Sequence, residues 1–175
     1  MVTEVDHNAI KKRIQTILKA NSSLYDNKIP TKTGNRVNEV YVGLPDGYVW
    51  ESLPMPYISI TNDLNYETDK PFGSVVGAPP TAAYSTSYHI VNYLVIIMVA
   101  GSSAAVVEQQ LDAFHKTVKE TLKANFQFIN TTNNQNDLGI EQTILTQSKF
   151  VDGGSRKGKT VNGVIITCQV KLVTG

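Results

Sequence analysis

The feature that most constrains the fold is one uninterrupted run, Thr86 to Val99, followed at once by a helical pattern. The run holds no Gly, no Pro and no formally charged residue, and it is rich in β-branched and aromatic side chains. It predicts a single β-strand of about 14 residues, where a typical strand has about 5–6. Ile90, Leu94, Ile96 and Met98 fall on one face of that strand. Val91, Val95, Ile97 and Val99 fall on the other. Both faces are therefore apolar through the second half, and both need cover. Leaving four aliphatic side chains wet forgoes about 1.5–3 kcal/mol each.

Two amphipathic helices are available as cover. Thr3 to about Asn21 carries Ile10, Ile14, Ile17 and Leu18 as one stripe, with Thr3 and Asp6 in capping-box positions. Its cations Lys11, Lys12, Arg13 and Lys19 read as a solvated face. A second helix opens at Ser102 or Ser103 and runs to about Asn125 on the stripe Val107, Leu111, Phe114, Val118 and Leu122.

Further strands are expected over Val37–Val42, Pro56–Thr61, Ile140–Phe150 and Val164–Val173. In the last of these, Val164, Ile166, Cys168, Val170 and Leu172 share an apolar face. Ile165, Thr167, Gln169 and Lys171 share the other, mostly polar one. Asn62 to Ser85 reads as a long irregular stretch, and Val151 to Gly163 as a long basic hairpin tip. Residues 1–175 are expected to form a single α+β domain. It has a mainly antiparallel β-sheet, a long central strand, a C-terminal β-hairpin, and two helices packed on one face.

Helices on one side and a half-polar last strand on the other leave the surplus apolar face without evident local cover. We assign that surplus to Val91, Val95, Ile97 and Val99, as a candidate subunit interface. The covering group is either a neighbouring subunit or the 62–85 stretch folding back.

Composition narrows the partners. Hydrophobic residues make up 41% and charged residues 18%, below the usual ~25% charged. With a formal charge of +1, no global field draws in nucleic acid or an acidic membrane. Cys168 is the only cysteine, so an intramolecular disulfide and a thiolate metal cluster are both excluded, and a buried structural thiol is expected. The first residues lack the apolar core of a secretory signal. The longest apolar run, Tyr93–Ala100, is far short of the ~18 residues that span a bilayer. A soluble protein is expected.

No catalytic, cofactor or metal motif appears. His7, His89 and His115 lack ligand spacing, and His89 reads as a structural histidine. Glu108, Asp112 and His115 share one face of the second helix. An acid–base or metal reading of that face is weaker than a solvated charged face. Arg156, Lys157 and Lys159 sit among glycines at the hairpin tip, as a candidate channel or partner loop touching DNA phosphates or a protein.

The order of elements adds a resemblance. An amphipathic first helix is followed by the Pro-x-Ile-x-Ile strand Pro56-Tyr57-Ile58-Ser59-Ile60. Then come a long Tyr-x-Ile-x-x-Tyr-x-Val-x-Ile strand from Tyr88, a long helix and a terminal hairpin. From about Thr3 to Val173 this pattern resembles the tail terminator, or tail-to-head joining, proteins of tailed bacteriophages, the minor tail protein U-like family. The resemblance implies a structural virion protein without a catalytic site, made in the host cytoplasm. Such a protein forms a homohexameric ring that caps the tail tube, stops its polymerisation, docks to a head-completion (neck) protein and leaves a channel for DNA. Another neck or tail component, such as a head-closure or tail-tube protein, is the alternative within that class. A small α+β enzyme or ligand-binding domain is the alternative outside it.

Overall fold

A computed structural model describes residues 5–26, 36–43, 53–71, 87–129 and 133–174, with side chains at 64–71, 87, 88 and 174 left aside. Five strands form one sheet: β1 (Glu39–Val42), β2 (Tyr57–Pro71), β3 (Ser87–Gly101), β4 (Ile140–Arg156) and β5 (Lys159–Thr174), in the order β1-β2-β3-β5-β4. β1 runs parallel to β2, and every other neighbouring pair is antiparallel. The expected α+β class with a mainly antiparallel sheet is the observed one.

The helices α1 (His7–Ala20) and α2 (Ala104–Ala124) lie on one face of the sheet and touch each other. α1 starts later than its capping-box positions imply. Its N-cap is Asp6, whose carboxylate accepts from the Ala9 N–H at 2.9 Å, while Thr3 lies outside the described residues. α2 is capped by Ser103, whose hydroxyl accepts from the Val106 N–H, and it ends at Asn125. The expected stripes are the buried ones: Ile10, Ile14, Ile17 and Leu18 on α1, and Val107, Leu111, Phe114, Val118 and Leu122 on α2.

Two cations of α1 are not simply solvated. Arg13 donates to the Phe128 carbonyl at 2.8 Å and grips Asp137 with a second nitrogen, and Lys19 pairs with Glu39 at 2.6 Å. α1 is thereby tied to the α2–β4 connection at one flank and to β1 at the other.

The strands are longer than the sequence pattern implies. β2 continues to Pro71 across a register shift between Asn62 and Glu67, so the first part of the supposed irregular stretch is strand. Residues 72–86 lie outside the described ones. β4 and β5 likewise extend through most of the supposed hairpin loop.

The face assignment of β3 needs correction. Val91, Val95, Ile97 and Val99 are at most 2% exposed and belong to the main core beneath the helices. Strand register gives the reason. Directly opposed residues share a face, and β5 has one unambiguous apolar face. Val91 lies opposite Val170, Val95 opposite Ile166, and Ile97 opposite Val164. On the other side Ile58 and Ile60 of β2 continue the rows Ile58–Ile97–Val164 and Ile60–Val95–Ile166. These four residues are therefore core, not a subunit interface. The surplus belongs to Ile90, Leu94, Ile96 and Met98 on the face away from the helices.

Part of that second face is covered by the chain itself. Tyr57, Met98 and Val161 form a smaller buried cluster, with Tyr41, Leu53, Met55, Ile96 and Ala100 packed against it. Its contributors lie at the β1–β2 connection and the hairpin end of the sheet. Ile90, Leu94 and Ile96 remain half-buried.

Candidate functional site

The β4–β5 hairpin concentrates the exposed chemistry. Its tip is a two-residue turn, Lys157-Gly158, with φ of 48° and 74°. Positive φ at both central positions is the geometry whose twist matches paired strands, and glycine reaches it without penalty. Asp152 and Ser155 flank a register shift that contains Gly154 at φ 73°, and the Asp152 carboxylate accepts from the Gly154 N–H at 2.7 Å. The glycines of this segment thus serve a bulge and a tight turn in a paired ribbon. The long tip expected over 151–163 is corrected accordingly.

Register sorts the ribbon's side chains onto two sides. Arg156 opposes Lys159 on the side away from the helices, together with Val161. Beside them lies a shallow cavity of about 300 Å³. Arg156, Lys157 and Lys159 line it along with the apolar Leu53, Pro54, Met55, Ala100 and Val161. The three candidate residues are therefore brought together, and they stand over an apolar patch. Tyr57 of the neighbouring cluster is 1% exposed. Burial pushes its phenol above the ordinary value, and the nearby Arg156 guanidinium partly offsets that rise.

The helix side of the same ribbon has the opposite character. Asp152, Thr160 and Asn162 meet the first half of α2 across an open groove of about 610 Å³. Glu108 and Asp112 bring two more carboxylates to that groove, while Leu111 and Phe150 supply apolar surface. Phe150 is 54% exposed, an unusual state for a phenylalanine. Phe150 and Asp152 carry no local sign of this groove, because the helix beside them lies about 40 residues upstream in the sequence.

The side chains of the Glu108/Asp112/His115 face go to different neighbours, the two carboxylates to the groove and His115 to β4. His115 Nε2 is 2.8 Å from the Ser148 hydroxyl, and the ring stacks edge-on to Phe150 at 5.4 Å. Partial burial lowers its pKa below 6.5, helped by Lys119 and opposed by Asp112. Among the described residues no three His, Cys, Asp or Glu side chains are placed to hold a metal ion. His7 shares a 3.0 Å hydrogen bond with the Tyr93 hydroxyl, and His89 is half-buried in β3 opposite Leu172. Cys168 is fully buried, and burial pushes its thiol up to about 12.

Fold and surface together define a two-layer α+β protein with a charged ribbon at one end of its sheet. No protein-family model matches the chain, and no curated protein matches it. Among solved structures, a chain from the virion of a native gene transfer agent particle has a similar fold. It aligns with a TM-score of 0.54 at 11% identity, over 97% of this chain and 99% of that one. At that identity the likeness concerns the fold. Among the described residues no helix is long and apolar enough to cross a membrane.

Proposed function

We propose that this protein is a structural component of a virion, and specifically a tail terminator. It forms a homohexameric ring that caps the tail tube, halts its polymerisation, joins the tail to the head-completion protein, and encloses a channel through which DNA passes. The role is structural, not enzymatic. Assembly takes place in the host cytoplasm and the product resides at the tail–neck junction.

The observation that carries this reading is the end-to-end fold correspondence with a virion chain, in which almost nothing of either chain is left over. Two further features support it. The succession of helix, Pro-x-Ile-x-Ile strand, long strand, helix and hairpin resembles the tail terminator family over nearly the whole sequence. The hairpin end of the sheet presents charged and apolar surface suited to contact with another protein.

The test is the mass and shape of the purified full chain. Six copies at 19.2 kDa each give a particle of about 115 kDa in native mass spectrometry. Negative-stain images should show rings with a central opening, and the rings should bind the ends of purified tail tubes. A protein that stays monomeric across its soluble concentration range, with no rings in stain, would overturn the proposal.

A further inference from the structure

The structure assigns a second copy of this chain as the partner of both sides of the β4–β5 ribbon: the cationic tip of one copy docks in the acidic groove of the next. This inference rests on the ring reading and deepens it by naming the contact.

The argument begins with the separation of charge. Arg156 and Lys159 occupy the side of the ribbon away from the helices, with Lys157 at the turn between them. Asp152 occupies the helix side, where Glu108 and Asp112 face it across the groove. None of Glu108, Asp112, Lys157 and Lys159 has an ion-pair partner among the described residues. The chain as a whole is nearly balanced, with 16 cations against 15 anions. Within that balance two patches of opposite sign lie at one end of the sheet, on opposite sides of one hairpin.

The patches also match in shape and polarity. The groove is open, about 610 Å³ in volume, and presents the exposed ring of Phe150 beside Leu111. Lys and Arg side chains lay apolar stems on such a surface and keep their charged ends at a carboxylate rim. A narrow two-stranded ribbon ending in a two-residue turn is a shape that enters a groove. Cations over an aromatic-floored, acid-rimmed cleft gain both Coulomb attraction and apolar burial.

The contact suits a ring. When the tip of one copy meets the groove of the next, and that copy's tip meets the groove of a third, the contact is head-to-tail. Repetition of such a contact closes into a ring when the rotation permits. Nucleic acid is the weaker candidate for the tip, because Asp152 on the same ribbon, with Glu108 and Asp112 beside it, repels phosphate.

The test uses two charge-reversed variants of the full chain, K157E/K159E and E108K/D112K, with folding checked by circular dichroism and urea midpoint. Each variant alone should lose assembly by tenfold or more in native mass spectrometry. A one-to-one mixture should reassemble, because every tip then meets a groove of opposite sign, and the product should contain both chains in equal number. Association of the wild type should weaken as salt rises. Folded variants that each assemble like wild type, or a mixture that fails to recover, overturn this contact while leaving the ring reading intact. Wild type that never assembles refutes the ring and the contact together. Salt-sensitive DNA binding lost in K157E/K159E, with assembly unaffected, would assign the tip to DNA instead.

Discussion

Ile96 and Ile97 are neighbours in β3 with identical side chains, yet they should differ sharply in what truncation costs. Ile97 is fully buried between Ile58 and Val164 under the helices. Ile97→Ala removes three carbon groups from the core, about 2.4 kcal/mol at about 0.8 kcal/mol each. A residual void of about 40 Å³ adds about 1 kcal/mol at about 24 cal/mol per Å³. The expected loss is therefore about 3–4 kcal/mol. Ile96 is half-buried on the other face, between Ser59 and Ile165. Its truncation forfeits about half the transfer term and leaves little void, about 1 kcal/mol. Equilibrium urea unfolding reads the difference directly, at one protein concentration because association would add its own stabilisation. With m of about 2 kcal/mol per molar, the midpoint should fall by about 1.5–2 M for Ile97→Ala and about 0.5 M for Ile96→Ala. A midpoint shift for Ile96→Ala as large as that for Ile97→Ala would refute the assignment of the two faces. The same logic makes Ile97→Asp a folding defect, seen as insoluble chain, before it is an assembly defect.

Cys168 should resist a thiol reagent such as Ellman's in native buffer and react only as fast as the chain unfolds, because its thiol is buried with a pKa pushed up to about 12. Prompt native labelling would contradict its place in the core. His115 has a folded pKa below its unfolded value near 6.5, so the unfolded chain binds its proton more readily. Its contribution to stability is present above pH 6.5 and is lost as pH falls through the lowered folded pKa, and His115→Gln should flatten urea midpoints in that window. Gly163→Ala should destabilise by about 1–2 kcal/mol through overcrowding. The added carbon would lie 2.5 Å from Met98 Sδ and 3.0 Å from the Ile97 carbonyl oxygen. A shortened Met98 side chain should recover only part of that loss, because the carbonyl does not yield. An Ala variant as stable as wild type in thermal melts would count against the close strand approach.

The sequence makes the elements legible where periodicity is strong. The stripes of α1 and α2 and the alternation of β5 each have one answer, and all appear as read. β3 was harder because both of its faces are apolar. Alternation says which residues go together, but not which set meets the helices. That choice is made by pairing with β5, where Ile166 and Val170 pin Val95 and Val91 to the core. The missed strand lengths have a similar origin. Gly153, Gly154 and Gly158 look like a loop in isolation, yet they permit a bulge and a turn in a ribbon that the partner strand holds in place. β2 past Asn62 has no apolar alternation, since Asn, Asp, Glu and Lys dominate it, so only its partner β3 reveals it. The cationic tip was visible as a cluster of like residues. The acidic groove was not, because Asp112 and Asp152 are brought together only by the packing of α2 on the sheet.

The position of β5 also governs the sequence of events during synthesis. It is the latest of the five strands in the sequence, yet it lies between β3 and β4 in the sheet. Its pairs with β3 join Gly101 to Thr160 and Ser87 to Thr174, all distant along the chain. β3 therefore leaves the ribosome with the edge that β5 will pair still open, and it stays open until Lys159–Thr174 has been made. Long-range closure of this kind is slow and leaves sticky strand edge exposed in the meantime. The polar, glycine-interrupted β4 is made just before β5 and is a poor substitute partner for β3. Its composition keeps the central slot vacant for the strand that belongs there.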